Sequence, residues 1–246
     1  MELRRGVAAF DPVTLRIAAE QLPLVQLPEA LDAEMPEHLC QLATVQVTPF
    51  NVTARIDTGQ LTWEVEAALV PFTTYAGGRA SGVRLSGARV AELEDTVVAR
   101  VPVRLEGEKV WAWFAELPSE VAEFDGVELV ADVRCWMRSF STEDRKVDTL
   151  TVPQQDVDYE AFVKGLDRSA RQKIRAVVDD KGARVIAETV IMGSVPSRRA
   201  SKHVVMGEKG PVLFWFSEGN EDRALPFAVA YTEAGAWVGD GQWPKP

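Results

Sequence analysis

Cysteine is scarce in this sequence. Only two of its 246 residues are cysteines, Cys40 and Cys135, and they lie far apart in the chain. Neither a disulfide framework nor a cysteine-based zinc site is therefore indicated. We expect each cysteine to be a small apolar residue buried in the protein.

Long apolar runs are also lacking. The basic amino terminus, Met1–Gly6, is not followed by the uninterrupted apolar segment of a secretory signal. No other segment has the length needed to cross a bilayer. The sequence therefore predicts a protein with no membrane association, located in the cytoplasm.

The motifs of familiar catalytic sites are missing as well. The two histidines, His38 and His203, lack the spacing of metal ligands and have no nucleophile motif nearby. There is no glycine-rich phosphate loop and no dinucleotide fingerprint. We therefore predict no catalytic residue, no metal and no cofactor, although active-site residues can converge from distant positions.

One triplet does resemble a catalytic motif, because Asp57-Thr58-Gly59 has the residue types that aspartic proteases place on a loop. That chemistry needs a second aspartate, and the second half of the chain has no matching triplet. The triplet also falls between two strand patterns, where Asp and Gly favour a turn. An aspartic-type hydrolase that uses Asp57 is the least favoured function.

Strand patterns dominate the chain up to about Pro153. Apolar and β-branched runs are separated by short polar breaks, and they cover Ala43–Ile56, Leu61–Val70, Val97–Leu105, Val110–Phe114, Val127–Phe140 and Lys146–Val152. The only helix expected before that point is Pro28–Leu42, and Pro36 weakens it unless the helix begins there.

Beyond Pro153 the period changes and predicts two helices. Apolar residues recur at helical spacing from Tyr159 to Leu166 in the first, and from Ala170 to Val178 in the second. Strand patterns then resume at Ala183–Met192, His203–Met206, Pro211–Ser217 and Phe227–Tyr231.

Two stretches of sequence occur twice, about 100 residues apart. Gly87–Val90 reappears as Gly182–Val185, and Gly107–Glu116 resembles Gly207–Glu218, with Trp113 equivalent to Trp215. Tandem duplication explains both matches. Coincidence between common hairpin sequences is the alternative.

The predicted fold is α+β and mainly antiparallel β. It has two related β-rich lobes, with a two-helix insertion in the second lobe. Residues 1–140 form the first lobe together with an amino-terminal extension, and residues 141–246 form the second.

Charge is unevenly distributed. Residues 1–160 carry a net charge of −13, residues 161–205 carry +6, and residues 206–246 carry −3. The basic region can bind phosphates through Arg168, Arg171, Lys173, Arg175, Arg198, Arg199 and Lys202. The alternative is a solvated helix face, balanced by acidic neighbours such as Asp179 and Asp180.

The favoured function is a non-enzymatic interaction or assembly protein, a structural protein that binds a protein partner or forms an oligomer. Two similar lobes would present sheet edges suited to such contacts. The alternative is a DNA-binding or other nucleic-acid accessory protein that uses the basic surface of residues 168–202.

Overall fold

The structure is a computed structural model that describes residues 6–21, 26–36, 43–47, 61–67, 74–75, 82–103, 110–163, 170–179, 182–184, 202–219 and 223–237. Its two α-helices in these ranges are α1 (Pro12–Gln21) and α2 (Gly126–Glu143), and Glu29–Leu31 and Ala234–Ala236 form short 3-10 turns. The strands of these residues are, in chain order, β1 (Val7–Phe10), β2 (Ala43–Val47), β3 (Leu61–Ala67), β4 (Thr74–Tyr75), β5 (Gly82–Ser86), β6 (Arg89–Leu93), β7 (Thr96–Val103), β8 (Val110–Glu116), β9 (Arg145–Lys146), β10 (Thr149–Pro153), β11 (Gln155–Val163), β12 (Ala170–Asp179), β13 (Gly182–Arg184), β14 (His203–Val205), β15 (Val212–Glu218) and β16 (Phe227–Thr232).

The strands of the described ranges form three sheets. The largest has seven strands in the order β1-β16-β15-β8-β7-β6-β9, and a smaller sheet has the order β14-β10-β5-β4. The third has the order β11-β12-β3-β2, with β13 paired to the end of β12. Two strand pairings are parallel, β10 with β14 and β12 with β3, and the other strand pairings of the described ranges are antiparallel.

The prediction of two related lobes is wrong. Trp113 and Trp215, expected at equivalent places in two sheets, lie opposite each other on the adjacent antiparallel strands β8 and β15 of one sheet. Their rings stack with centroids 5.8 Å apart. Both strands are central and almost wholly buried, so the same environment selects the same large apolar residues in each. The sheet also takes strands from both ends of the chain, β1 and β16.

The predicted two-helix insertion is also wrong, because Gln155–Val163 and Ala170–Asp179 are the paired antiparallel strands β11 and β12, which we call the β11–β12 hairpin. The buried residues of β12 recur at every second position, with Gln172, Ile174, Ala176 and Val178 each at most 2 % exposed. That period of two is the period of a strand. The helical spacing read from the same residues was a coincidence of a sequence rich in apolar side chains.

The converse error occurs at Val127–Phe140, which was predicted as a strand and lies within α2. Its buried residues, Val130, Val133, Met137 and Phe140, are spaced by three or four, as on one face of a helix. Asp125 caps the helix, since its carboxylate accepts hydrogen bonds from the backbone N–H groups of Val127 and Glu128. On the opposite face Cys135 is exposed, contrary to the expectation that it is buried.

The predicted helix Pro28–Leu42 is reduced to the 3-10 turn at Glu29–Leu31 within the described residues, and residues 37–42 lie outside them. Glu34 instead forms a parallel bridge to Ala224. The backbone N–H of Glu34 donates to the carbonyl of Arg223, and its carbonyl accepts from the N–H of Leu225. The division of the chain into residues 1–140 and 141–246 stays a prediction.

Candidate functional site

The basic residues predicted to bind phosphates lie on a strand where the structure describes them. Arg171, Lys173 and Arg175 occupy every second position of β12. Lys202 is exposed before β14, and its backbone N–H donates to an Asp148 carboxylate oxygen at 2.9 Å. The remaining predicted ligands, Arg168, Arg198 and Arg199, lie outside the described residues. Their proposed phosphate binding stays a prediction.

One face of the β11–β12 hairpin packs against the large sheet. Val157 of β11 and Ile174 of β12, both fully buried, form a small cluster with Ala9 of β1 and Ala230 of β16. Phe124, which precedes α2, makes an edge-on contact with Tyr159 at 6.1 Å. The hairpin is therefore held through its apolar face by β1 and β16, at one end of the large sheet.

The other face of the hairpin carries charge. Asp156, Asp158 and Glu160 occupy alternate positions of β11 and are exposed. In the register of the sheet, Asp158 lies opposite Arg175 and Glu160 lies opposite Lys173. Opposite residues of neighbouring strands share a face, so the acidic row of β11 lies beside the basic row of β12.

A second acidic row lies on the other side of β12. Its parallel neighbour β3 places Glu64 opposite Lys173, and Glu66 occupies the next position on the same face. Lys173 thus has an acidic residue opposite it on both sides and Arg175 has Asp158 opposite it, whereas Arg171 lies opposite Phe162 and Thr62. Such an arrangement lowers the net positive field available to a phosphate backbone.

The strand β11 is an edge strand of the sheet β11-β12-β3-β2. It is nine residues long, and no strand of the described ranges pairs along its outer edge. An edge strand presents backbone N–H and C=O groups that another extended segment can pair with. We call the outer edge of Gln155–Val163, together with its exposed carboxylates at Asp156, Asp158 and Glu160, the β11 edge.

A buried polar contact ties β12 to the amino-terminal part of the fold. The side-chain amide of Gln172 donates to the carbonyl of Asp11 at 2.7 Å and accepts from the N–H of Asp11 at 3.1 Å. Both residues are at most 2 % exposed, and 161 positions of sequence separate them. The amide of Gln172 thus substitutes for a strand neighbour of Asp11.

The carboxylate of Asp11 extends the same network. It accepts hydrogen bonds from the N–H groups of Val13 and Thr14 in the first turn of α1, where Pro12 occupies the first helical position. It also accepts from the N–H of Ala228 at 3.0 Å. Burial is the largest effect on this group and raises the pKa of Asp11, while these hydrogen bonds act in the opposite direction.

The contact with Asp11 fixes an unusual backbone conformation. Ala228 has a φ of +52°, which L residues other than glycine rarely adopt. It lies near the irregularity in the β15–β16 pairing between Phe214 and Phe216. Asp11 therefore joins α1, β12 and β16 at one buried point, and this point supports the β11–β12 hairpin from behind.

Gln155, the first residue of β11, has an uncompensated buried amide. The residue is 1 % exposed, and neither its side-chain oxygen nor its nitrogen finds a hydrogen-bond partner among the described residues. An amide buried in this way costs free energy of folding.

A surface cleft of about 280 Å³ lies elsewhere, beside the β6–β7 turn. Its lining includes Glu92, Glu94, Glu116 and Lys209. Glu116 is almost fully buried and accepts the backbone N–H groups of Gly207 and Lys209 at 2.9 and 2.7 Å. These bonds fix the turn before β15, which is a structural role.

The other residues singled out in the sequence contribute little to this site. His203 is exposed on β14, with its Nε2 at 3.4 Å from the Thr151 hydroxyl. Asp57, His38 and Cys40 lie outside the described residues. Within the described ranges, no group of three possible ligands is arranged to hold a metal ion, and no helix is long and apolar enough to cross a membrane.

Sequence comparison identifies no relative, since no protein-family model and no curated protein matches the chain. Among solved structures, mouse protein-Z dependent protease inhibitor is similar over 72 % of this chain and 56 % of its own, with 12 % identity and a TM-score of 0.39. Human thyroxine-binding globulin complexed with thyroxine is similar over 72 % and 57 %, with 14 % identity and a TM-score of 0.41. The thermophilic serpin tengpin is similar over 70 % and 54 %, with 10 % identity and a TM-score of 0.39.

The chain spans less than two thirds of the length of each of these three proteins. Serpins, which are mixed α/β proteins rich in β-sheet, are thus among the structures similar to it. At these identities and TM-scores, the similarity identifies no ligand or partner.

Proposed function

We propose that this chain is a non-enzymatic protein-binding protein, and that it takes up an extended segment of a partner protein along the β11 edge. The observation that carries the proposal is a nine-residue strand at the end of a sheet. Strand addition to a sheet edge is a recurring mode of peptide recognition, in which backbone hydrogen bonds supply affinity and side chains supply specificity.

Contacts that hold β11 and β12 in place favour the binding of a partner segment. Val157 is fully buried against the large sheet, and Gln172 on the neighbouring strand is fixed by Asp11. A site whose conformation is held before binding loses less conformational entropy when the partner arrives.

Self-association along the same edge is disfavoured. If two copies paired their β11 strands antiparallel, the carboxylates of Asp156, Asp158 and Glu160 would meet those of the second copy. Like charges in directly opposed positions are destabilising. The β11 edge therefore suits a different protein, and the predicted oligomer would need another surface.

Nucleic-acid binding remains the second candidate, because Arg171, Lys173 and Arg175 share one face of β12. Its difficulty is the acidic row on each side of them, at Glu64 of β3 and at Asp158 and Glu160 of β11. A titration with a labelled oligonucleotide at several salt concentrations tests it. Affinity that falls steeply with salt, and that is lost in the triple Arg171→Gln, Lys173→Gln, Arg175→Gln variant, would favour this candidate.

The protein-binding proposal is tested by amide hydrogen exchange with nine-residue peptides that differ in charge but all favour extended structure. A peptide that adds to the β11 edge protects backbone N–H groups in Gln155–Val163 that exchange freely without it. If no peptide of any charge pattern slows exchange in β11, the proposal is wrong.

A further inference from the structure

We infer that the sheet β11-β12-β3-β2, which we call the β11–β12 sheet, unfolds locally while the large sheet stays folded, and that the contact between Gln172 and Asp11 controls how often this happens. Local unfolding is a property of the fold and needs no partner. Its effect on binding rests on the proposed function, because the β11 edge belongs to the sheet that unfolds.

The apolar contact between the two sheets is small. Within the described ranges they share no strand. Three of the five residues in the buried cluster between them are alanines, the cluster being Ala9, Val157, Ile174, Ala176 and Ala230. Val178 and the partly buried Tyr159 add contacts with the main core. Because the free energy gained by burial follows the apolar area removed from water, alanines contribute little to holding the sheets together.

Gln155 favours the locally unfolded state. It is the first residue of β11 and is 1 % exposed, and its side-chain amide has no hydrogen-bond partner among the residues that the structure describes. When the β11–β12 sheet unfolds, water can bond to both the oxygen and the nitrogen of this amide. Local unfolding therefore relieves the cost of burying it.

Gln172 favours the folded state. Its side-chain amide donates to the carbonyl of Asp11 at 2.7 Å and accepts from the N–H of Asp11 at 3.1 Å. Both bonds are lost when β12 leaves the large sheet, so they stabilise the folded state alone. In the register of the sheet, Gln172 lies opposite Ala161 of β11. The contact is thus made on the strand next to the β11 edge.

Two buried amides on one hairpin therefore act in opposite directions on the same equilibrium. The β11–β12 sheet should unfold more readily than the central strands β8 and β15, which are almost wholly buried. A partner segment that adds to β11 binds the folded sheet and not the locally unfolded one. By linkage, the partner then suppresses local unfolding throughout the β11–β12 sheet, including strands that it does not touch.

Amide hydrogen exchange without any peptide tests the inference. The amides of residues 171–174 in β12 report on it, because β11 and β3 pair with them on both sides and fraying at a sheet edge does not expose them. We expect these amides to exchange about tenfold faster than those of β8 and β15, or more. Gln172→Leu should speed their exchange about tenfold and Gln155→Leu should slow it about tenfold, the size of effect expected for one buried polar contact.

A core variant separates local from global unfolding. Val98 of β7 is fully buried in the main core, so Val98→Ala should speed exchange in β8 and β15 and leave residues 171–174 unchanged. If Val98→Ala speeds exchange in all three strands equally, the β11–β12 sheet unfolds only with the whole protein and the inference is wrong. It is also wrong if Gln172→Leu leaves exchange at residues 171–174 unchanged.

A second series adds the nine-residue peptides and distinguishes this inference from the proposed function. A peptide that binds β11, present at 100 times its Kd, should slow exchange at residues 171–174 about 100-fold. If exchange there responds to Gln172→Leu and Val98→Ala as expected but no peptide slows exchange in β11, the proposed function fails and local unfolding stands. If a peptide slows exchange in β11 and not at residues 171–174, strand addition stands and the control of the β11 edge by local unfolding fails.

Discussion

The buried carboxylate of Asp11 provides the sharpest test of how this fold is held together. Its oxygens accept the N–H groups of Val13 and Thr14 in α1 and of Ala228 beside β16. In the Asp11→Ala variant the helix loses its cap, and the N–H of the fully buried Ala228 loses its acceptor.

The expected magnitude follows from these two losses. An N-cap is worth about 1 kcal/mol, and a buried N–H left without a partner costs about 1–3 kcal/mol. We therefore expect the free energy of unfolding of Asp11→Ala to fall by about 2–4 kcal/mol at neutral pH. The matched control is Asp148→Ala, which removes an exposed carboxylate that also accepts a backbone N–H, from Lys202. Its cost should stay below about 1 kcal/mol, because water replaces the lost acceptor.

The Asp11→Asn variant tests how the charge of the buried carboxylate affects the free energy of unfolding. Burial raises the pKa of Asp11 above 3.8, so the folded state binds the proton more tightly than the unfolded state does. The parent protein therefore loses stability relative to Asp11→Asn as the pH rises from 3.8 through the raised pKa of the folded state. Asparagine also caps helices well, so this variant should be less destabilised than Asp11→Ala.

Urea denaturation of the three variants, followed by circular dichroism at several pH values, measures these differences. If Asp11→Ala is no less stable than Asp148→Ala, the carboxylate does not join the helix to β16 as described. A difference between Asp11→Asn and the parent that does not change with pH would contradict the direction of the pKa shift.

The structure also predicts whether three further substitutions raise or lower stability. Gln155→Leu should raise the free energy of unfolding by about 1–3 kcal/mol, because it removes a buried amide without a partner, and urea denaturation measures the gain. Asp144→Asn should lower the free energy of unfolding by about 1–3 kcal/mol, and the melting temperature with it, because its carboxylate lies 3.6 Å from the largely buried guanidinium of Arg100; a loss no larger than that of Asp148→Ala would contradict this. Glu94→Gly should stabilise the β6–β7 turn by about 0.5–1 kcal/mol, since Glu94 has a φ of +53°, whereas Asp95→Gly should not, and equal effects of the two would refute the explanation.

The central strands of the large sheet were readable from the sequence. Val97–Leu105 and Val110–Phe114 were predicted as strands, and the structure has β7 at Thr96–Val103 and β8 at Val110–Glu116. These runs are dense in β-branched and aromatic residues and end at turns, so local preference and tertiary environment agree.

The spacing of apolar residues predicted the wrong secondary structure where such residues were too frequent to define one period. In α2 the burial of Val130, Val133 and Met137 is helical, but the apolar residues between them concealed that period. The cap at Asp125 was the signal that could have identified the helix. In β11 the alternation of Asp156, Asp158 and Glu160 with apolar residues was the corresponding signal for a strand.

The candidate site could be predicted only in part, because it depends on pairings between distant segments. The alternating carboxylates are visible in the sequence, but the contact of Asp11 with Gln172 spans 161 residues. The parallel pairing of Glu64 with Lys173 likewise has no local signature. The basic positions were therefore noticed as an isolated phosphate-binding cluster, without the acidic rows that flank them.

The most direct test of strand addition is to locate the bound peptide. A nitroxide label at one end of a nine-residue peptide that slows exchange in β11 broadens the amide signals of nearby residues, and moving the label to the other end reverses the pattern along a bound strand. We predict broadening that begins at one end of Gln155–Val163 and shifts to the other end when the label is moved. Broadening confined to other parts of the chain, with the amides of β11 unaffected at saturation, would contradict the account.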